Sequence, residues 1–158
     1  MYDFEIGGTA YERGLVIELP NDEGGWFSCE TRNSKREKID DYFEVYKKIQ
    51  YTYDFGDNWI HDITIEKVIY ADEKLEAPIC IKAKMADLPE DCGGPWGYEE
   101  LLGILADEKS DRYEEMKSWL DNVVVFWEDD RTYVDVDRIN IRLKRYKEYA
   151  KELLGDMF

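Results

Sequence analysis

Histidine is almost absent from this chain: His61 is the single one in 158 residues. That excludes any site assembled from several imidazoles, and no His-x-x-x-His or Cys-x-x-Cys spacing occurs. Cysteine is scarce and irregular, at Cys29, Cys80 and Cys92. An odd count at uneven spacing is not a disulfide framework, and reduced thiols fit a cytoplasmic protein. No apolar run approaches the roughly eighteen residues of a membrane span. The first residues, MYDFEIGGTAYERG, have neither a basic start nor an apolar centre, so they do not read as a signal peptide. Positive charge is in short supply as well, with 21 Lys and Arg against 37 Asp and Glu. The resulting net charge of −16 repels phosphate backbones and disfavours nucleic acid as a partner. The two richest basic stretches, residues 32–38 and 142–151, also carry acids or apolar positions and read as solvated helix faces.

What is abundant is aromatic. Phe, Trp and Tyr make up 15% of the chain and hydrophobic residues 44%, enough for one domain over residues 1–158 with a sizeable core. The densest stretch is residues 51–66, YTYDFGDNWIHDITIE. Two runs of period two flank Gly56-Asp57-Asn58, which is turn chemistry, so a β-hairpin is expected. With the loop at residues 56–58, Phe55 faces Trp59, Tyr53 faces His61 and Tyr51 faces Ile63. One face then carries Tyr53, Phe55, Trp59, His61 and Ile63, and the other Asp54, Ile60 and Asp62. A loop one residue longer or shorter sends one strand's side chains to the opposite face.

Taken in order, the chain opens on a strand, Tyr2, Phe4 and Ile6 alternating with acids before Gly7-Gly8. A strand so close to the first residue implies further elements upstream. A second strand is expected within residues 10–19, a loop at 20–25 and a weak strand at 26–31. Ile39, Phe43 and Tyr46 are spaced for a short amphipathic helix. Residues 67–70 extend the hairpin strand, 71–77 form an acidic loop, and 78–83 form a short strand with Ile79 and Ile81 on one face and Cys80 on the other. Residues 88–98, LPEDCGGPWGY, hold too many prolines and glycines to propagate a helix or central strand and read as a closely packed loop. Helices follow over 98–105 and, capped by Ser110 or Asp111, over a segment burying Tyr113, Met116, Trp119 and Leu120. The apolar run 123–127 fits a strand or an extended loop. Asp135 caps a last helix whose apolar stripe is Val136, Ile139, Leu143, Tyr146, Ala150 and Leu153. Strands early and helices late make an α+β domain: an antiparallel β-sheet containing the aromatic hairpin, packed by C-terminal helices.

Tyr53-Asp54-Phe55-Gly56-Asp57-x-Trp59-x-His61 resembles the signature of the plasmid pRiA4b ORF-3-like family. Residues 89–94 followed by Gly97-Tyr98 are similar to its second signature, and Asp135 to Leu143, with Asn140 inside the helix, to its tail. The two signatures together are specific, and the resemblance covers most of the chain. It implies a shared fold and cleft and an association with plasmids and mobile elements; it implies no reaction. Two departures stand out. The family's opening Ile-Trp-Arg strand and Leu-His helix have no counterpart here. Asp87-Leu88 stand where many members have Cys-Pro, which weakens a cysteine metal site in that loop.

Several chemistries are open to these residues. Asp54, Asp57, His61 and Glu90 are candidate ligands for a divalent metal. With Asp91 and Cys92 they are candidate catalytic groups of a metal-dependent or hydrolase-like enzyme, Cys92 as nucleophile with His61 as base. Aspartates beside a glycine turn commonly bond backbone N–H groups instead, and a buried thiol is commonly structural. Tyr53, Phe55, Trp59, Trp96 and Tyr98 are candidate ligand-binding residues, able to stack on a ring or to pack as a hydrophobic face. Gly93-Gly94 has no strand before it and no Lys-Ser/Thr after it, so it is not a phosphate loop. The function favoured by the residues is binding of a small ligand or a protein, a basic one suiting the acidic surface, in a cleft between residues 51–66 and 89–98. The alternatives are the enzyme above and a nucleic-acid role in a plasmid or transposon.

Overall fold

The computed structural model describes residues 1–8, 14–19, 29–70, 76–86, 88–123 and 131–154. The loop expected at 20–25 and all but the first residue of the 123–127 run lie outside them, as do 10–13, 26–28, 71–75 and Asp87. The chain groups into two compact units, Met1–Ile69 with Asp91–Met116, and Tyr70–Glu90 with Lys117–Phe158.

The first unit is built on a five-stranded sheet of β1 (Tyr2–Ile6), β2 (Leu15–Glu18), β3 (Thr31–Asn33), β4 (Lys48–Tyr53) and β5 (Trp59–Thr64), in the order β3-β2-β1-β4-β5. The protein is thus α+β, with four α-helices following the strands among the described residues. Three of the four strand pairs are antiparallel; β2 and β3 run parallel. Alternation decides the faces. Ile6, Ile17 and Ile49 are 1–3% exposed and form the centre of the core, with Phe4, Leu15 and Ile63 packed against them. A short 3-10 helix, Ile39–Tyr42, and the turn after it lay Ile39, Tyr42, Phe43 and Tyr46 over the same cluster. The expected amphipathic segment is therefore present, wound more tightly than an α-helix. Arg32 on β3 bonds both Glu30 and the Tyr42 hydroxyl, which itself donates to Glu37 at 2.5 Å. Its bond to Glu30 holds the Arg32 guanidinium in its charged form, and the bond to Glu37 raises the Tyr42 phenol above its usual value.

Several sequence expectations are corrected. The hairpin register differs by two residues: Tyr53 pairs with Trp59, Tyr51 with His61 and Ile49 with Ile63. A shift of two preserves the faces, so Tyr53, Trp59, His61 and Ile63 stay together while Phe55 leaves the ladder for the turn. β5 ends at Thr64, and residues 65–70 have no regular structure. The loop expected through residue 98 gives way to helix at Gly94, because Pro95 sits in the first helical turn, where no backbone donor is needed.

α1 (Gly94–Leu105) buries Leu101 at 4% exposure, and α2 (Tyr113–Val123) buries Leu120 at 3%, running from the first unit into the second. In the second unit Asp135 caps α3 (Val136–Lys144), accepting from the Arg138 N–H at 2.9 Å. The single helix expected here is two. Arg145 leaves the helical path at φ −101° and ψ 10°, and its carbonyl accepts from the Glu148 and Tyr149 N–H groups of α4 (Tyr146–Leu154). Among the described residues, 78–83 pair with no strand. Instead the Asn140 amide accepts from the Cys80 N–H at 2.8 Å and donates to the Cys80 carbonyl at 2.9 Å.

Candidate functional site

The hairpin turn is a closed five-residue loop. Asp54 and Asn58 adopt left-handed φ of 51° and 54°, a conformation that Asp and Asn tolerate better than most residues. The Asn58 N–H reaches back to the Asp54 carbonyl, and the Asp54 N–H donates to the Met1 carbonyl at 2.8 Å. The Asp54 carboxylate accepts from the Gly56 N–H at 3.0 Å, an Asx turn inside the loop. Asp54 is therefore engaged by its own turn.

Asp57 works across a longer distance in sequence. Its Oδ2 accepts from the Gly93 N–H at 3.2 Å, 36 residues on, at the N-cap position of α1. A carboxylate there meets an orphan donor and the positive end of the helix. The two backbones also touch: a Cβ on Gly94, whose φ is +67°, would collide with the Asp57 carbonyl oxygen. A Cβ on Gly97 would collide with the Cys92 carbonyl oxygen. The glycines between Cys92 and Tyr98 thus let the first turn of α1 press on the hairpin turn and fold tightly on itself. The Cys92 thiol is turned to the Gly94 carbonyl, 3.7 Å away.

The face above the core is graded in rows. Leu15, Ile6, Ile49 and Ile63 form an aliphatic row; Ile17, Phe4, Tyr51 and His61 follow; Tyr2, Tyr53 and Trp59 end the face. Phe4 and Tyr51 stack with centroids 4.7 Å apart, Tyr2 meets both, and His61 lies 5.4 Å from the Tyr51 ring. Burial, then the neighbouring Tyr53 and Tyr2 phenols, raises the Tyr51 phenol above its usual value. Within the face Tyr53 is 37% exposed and His61 is exposed, while Tyr2 and Trp59 are half-buried. At the turn Phe55 is 42% exposed, and on α1 Trp96 is 83% exposed.

The first unit therefore brings together Tyr53, Asp54, Phe55, Asp57, Trp59, His61, Asp91, Cys92, Trp96 and Tyr98. Glu90 belongs to the second unit. Among the described residues no three His, Cys, Asp or Glu side chains converge as a metal site. The aromatic shelf also uses Tyr2, Phe4 and Tyr51, which the sequence reading placed on strands without counting them as site residues. Their alternation was the available signal; their partners were not visible before the sheet order.

The α+β fold fastens a Tyr-Asp-Phe-Gly-Asp turn to a Gly-Gly-Pro helix start. The profile of the family described as plasmid pRiA4b ORF-3-like protein matches residues 1–138, and the chain belongs to that family. It is 44% identical over 120 residues to the uncharacterized protein y4hQ of Sinorhizobium fredii, a match covering 75% of this chain. The chain spans 57% of that relative's length. It is also similar to the crystal structure of MM3350, a protein of unknown function from Methanosarcina mazei Go1. That match has a TM-score of 0.66 at 35% identity, over 87% of this chain and 71% of the other.

Proposed function

We propose that residues 1–158 act as one ligand- or protein-binding domain, whose cleft is bounded by the hairpin at residues 51–66 and the loop and helix start at 89–98. One observation carries this reading: a Trp that is 83% exposed stands on a helix start fastened to the hairpin turn. An exposed Trp contributes little to folding, while a Trp held on a rigid support is a strong binding anchor. No Lys or Arg occurs from Ile49 to Glu66, whereas Asp54, Asp57, Asp62 and Glu66 do, so a basic partner suits the surface. The reduced thiols of Cys29, Cys80 and Cys92 suit a cytoplasmic setting.

In the metal-dependent reading Asp54 and Asp57 would use the carboxylate lone pairs that the Gly56 and Gly93 N–H groups leave open. The nucleic-acid reading loses part of its basic support, since Arg32 is paired with Glu30 and Arg145 with Glu148. Affinity capture with the full chain, compared with Trp96→Ala and Phe55→Ala, tests the binding reading. The expected result is one partner or ligand lost from both variants at unchanged melting temperature. Retention of every bound species by both variants contradicts it. Elemental analysis of the same preparation reports on the metal reading.

A further inference from the structure

Residues 77–83 carry a feature that the binding site does not use. One primary amide, that of Asn140, bonds both the N–H and the C=O of Cys80. A residue points its own N–H and C=O to the same side only when it is extended, so Asn140 stands in for a neighbouring strand. In extended chain the adjacent residues, Ile79 and Ile81, turn their N–H and C=O to the opposite edge. Among the described residues neither makes a backbone hydrogen bond. Their side chains are 65% and 92% exposed. An open strand edge bearing two exposed isoleucines is a template for strand addition.

The sequence says which strand fits. Read outward from Cys80, the segment Glu76-Ala-Pro-Ile-Cys-Ile-Lys-Ala-Lys84 is close to its own reverse. We propose that this edge pairs with the same edge of a second copy of the chain, antiparallel about a two-fold axis at Cys80. The hydrogen-bond directions set that register, because Ile79 and Ile81 of opposite copies then exchange both backbone bonds. The same register places Ile79 against Ile81 and, past the bends at Glu76 and Ala77, brings Lys84 toward Glu76, twice over by symmetry. Pro78, which lacks a donor, falls on the Asn140 side and costs the new ladder nothing. Like charges do not meet, so the contact is complementary in shape, hydrogen bonding and charge.

Sedimentation of the full chain at low to high micromolar concentration tests this. A monomer–dimer equilibrium is expected. Ile81→Lys should weaken it by about tenfold or more through loss of both cross-strand isoleucine pairs. With Ile81 almost fully exposed, circular dichroism and melting should match the parent. Lys84→Glu should weaken the dimer, and adding Glu76→Lys to it should restore the affinity, which only the Cys80-centred register explains. A chain that stays monomeric throughout overturns the proposal. So does a dimer indifferent to Ile81→Lys, or a charge swap that fails to rescue.

Discussion

Two ends of one sheet face behave differently. Ile6, Ile49 and Ile63 share a row, and Tyr2, Tyr53 and Trp59 share another on the same strands two rungs away. The first row lies under the 3-10 helix and its turn, and Ile6 and Ile49 are at most 2% exposed. The second row adjoins the hairpin turn, where Tyr53 and Phe55 stay more than a third exposed. Strand pairing is equally regular at both ends. What separates them is side-chain chemistry: aliphatic residues have only burial to gain, while Tyr and Trp combine an apolar body with a polar tip and tolerate a half-wet surface. Stability is therefore concentrated at the aliphatic end.

The comparison is broken most severely from the aliphatic end. Ile49→Ala should lower unfolding stability by about 2–5 kcal/mol in denaturant melts. A loss under ~1 kcal/mol would mean that this row is not the core. Gly94→Ala strikes the junction at the other end, with left-handed φ and a Cβ against Asp57, and should cost about 1–3 kcal/mol. Asp57→Ala removes the carboxylate that meets the Gly93 N–H and should cost roughly 1 kcal/mol. Tyr51→Phe sharpens the boundary between the rows through pH. The folded-state pKa of Tyr51 is raised, so its contribution is fully present below the unfolded value of about 10 and fades as pH rises through the folded one. Stability of the parent should fall more steeply than that of Tyr51→Phe in alkaline titrations; parallel curves would refute the assignment. Trp96→Ala should change stability least, within ~0.5 kcal/mol, because its ring is mostly in water.

Legibility in the sequence followed the range of the interactions. Period two in residues 51–55 and 59–63 gave the strands and the shared face, both local properties. The register was missed because Asp54 and Asn58, rather than Gly56, take the left-handed conformations and lengthen the loop. Asp57 bonds a backbone N–H, as aspartates beside a glycine turn commonly do, yet its partner lies 36 residues away and no local pattern points to it. The glycines at 93, 94 and 97 read as breakers; in the folded chain they admit a close backbone approach at a helix start. The break at Arg145 is invisible to periodicity, since the stripe from Val136 to Leu153 keeps its three–four spacing across it. At residues 78–83 the alternation suggests a strand, but Ile79 and Ile81 face solvent, because among the described residues Asn140 and not a strand supplies the neighbour.

The junction of the hairpin turn with α1 is the central claim, and amide exchange at Gly93 tests it most directly. In the parent chain the Gly93 N–H should exchange more slowly than an open loop amide. In Asp57→Ala it should exchange freely, while the amides of Ile6 and Ile49 keep their protection. Equal exchange at Gly93 in both proteins would mean that Asp57 does not hold the helix start, and the platform for Trp96 would lose its support.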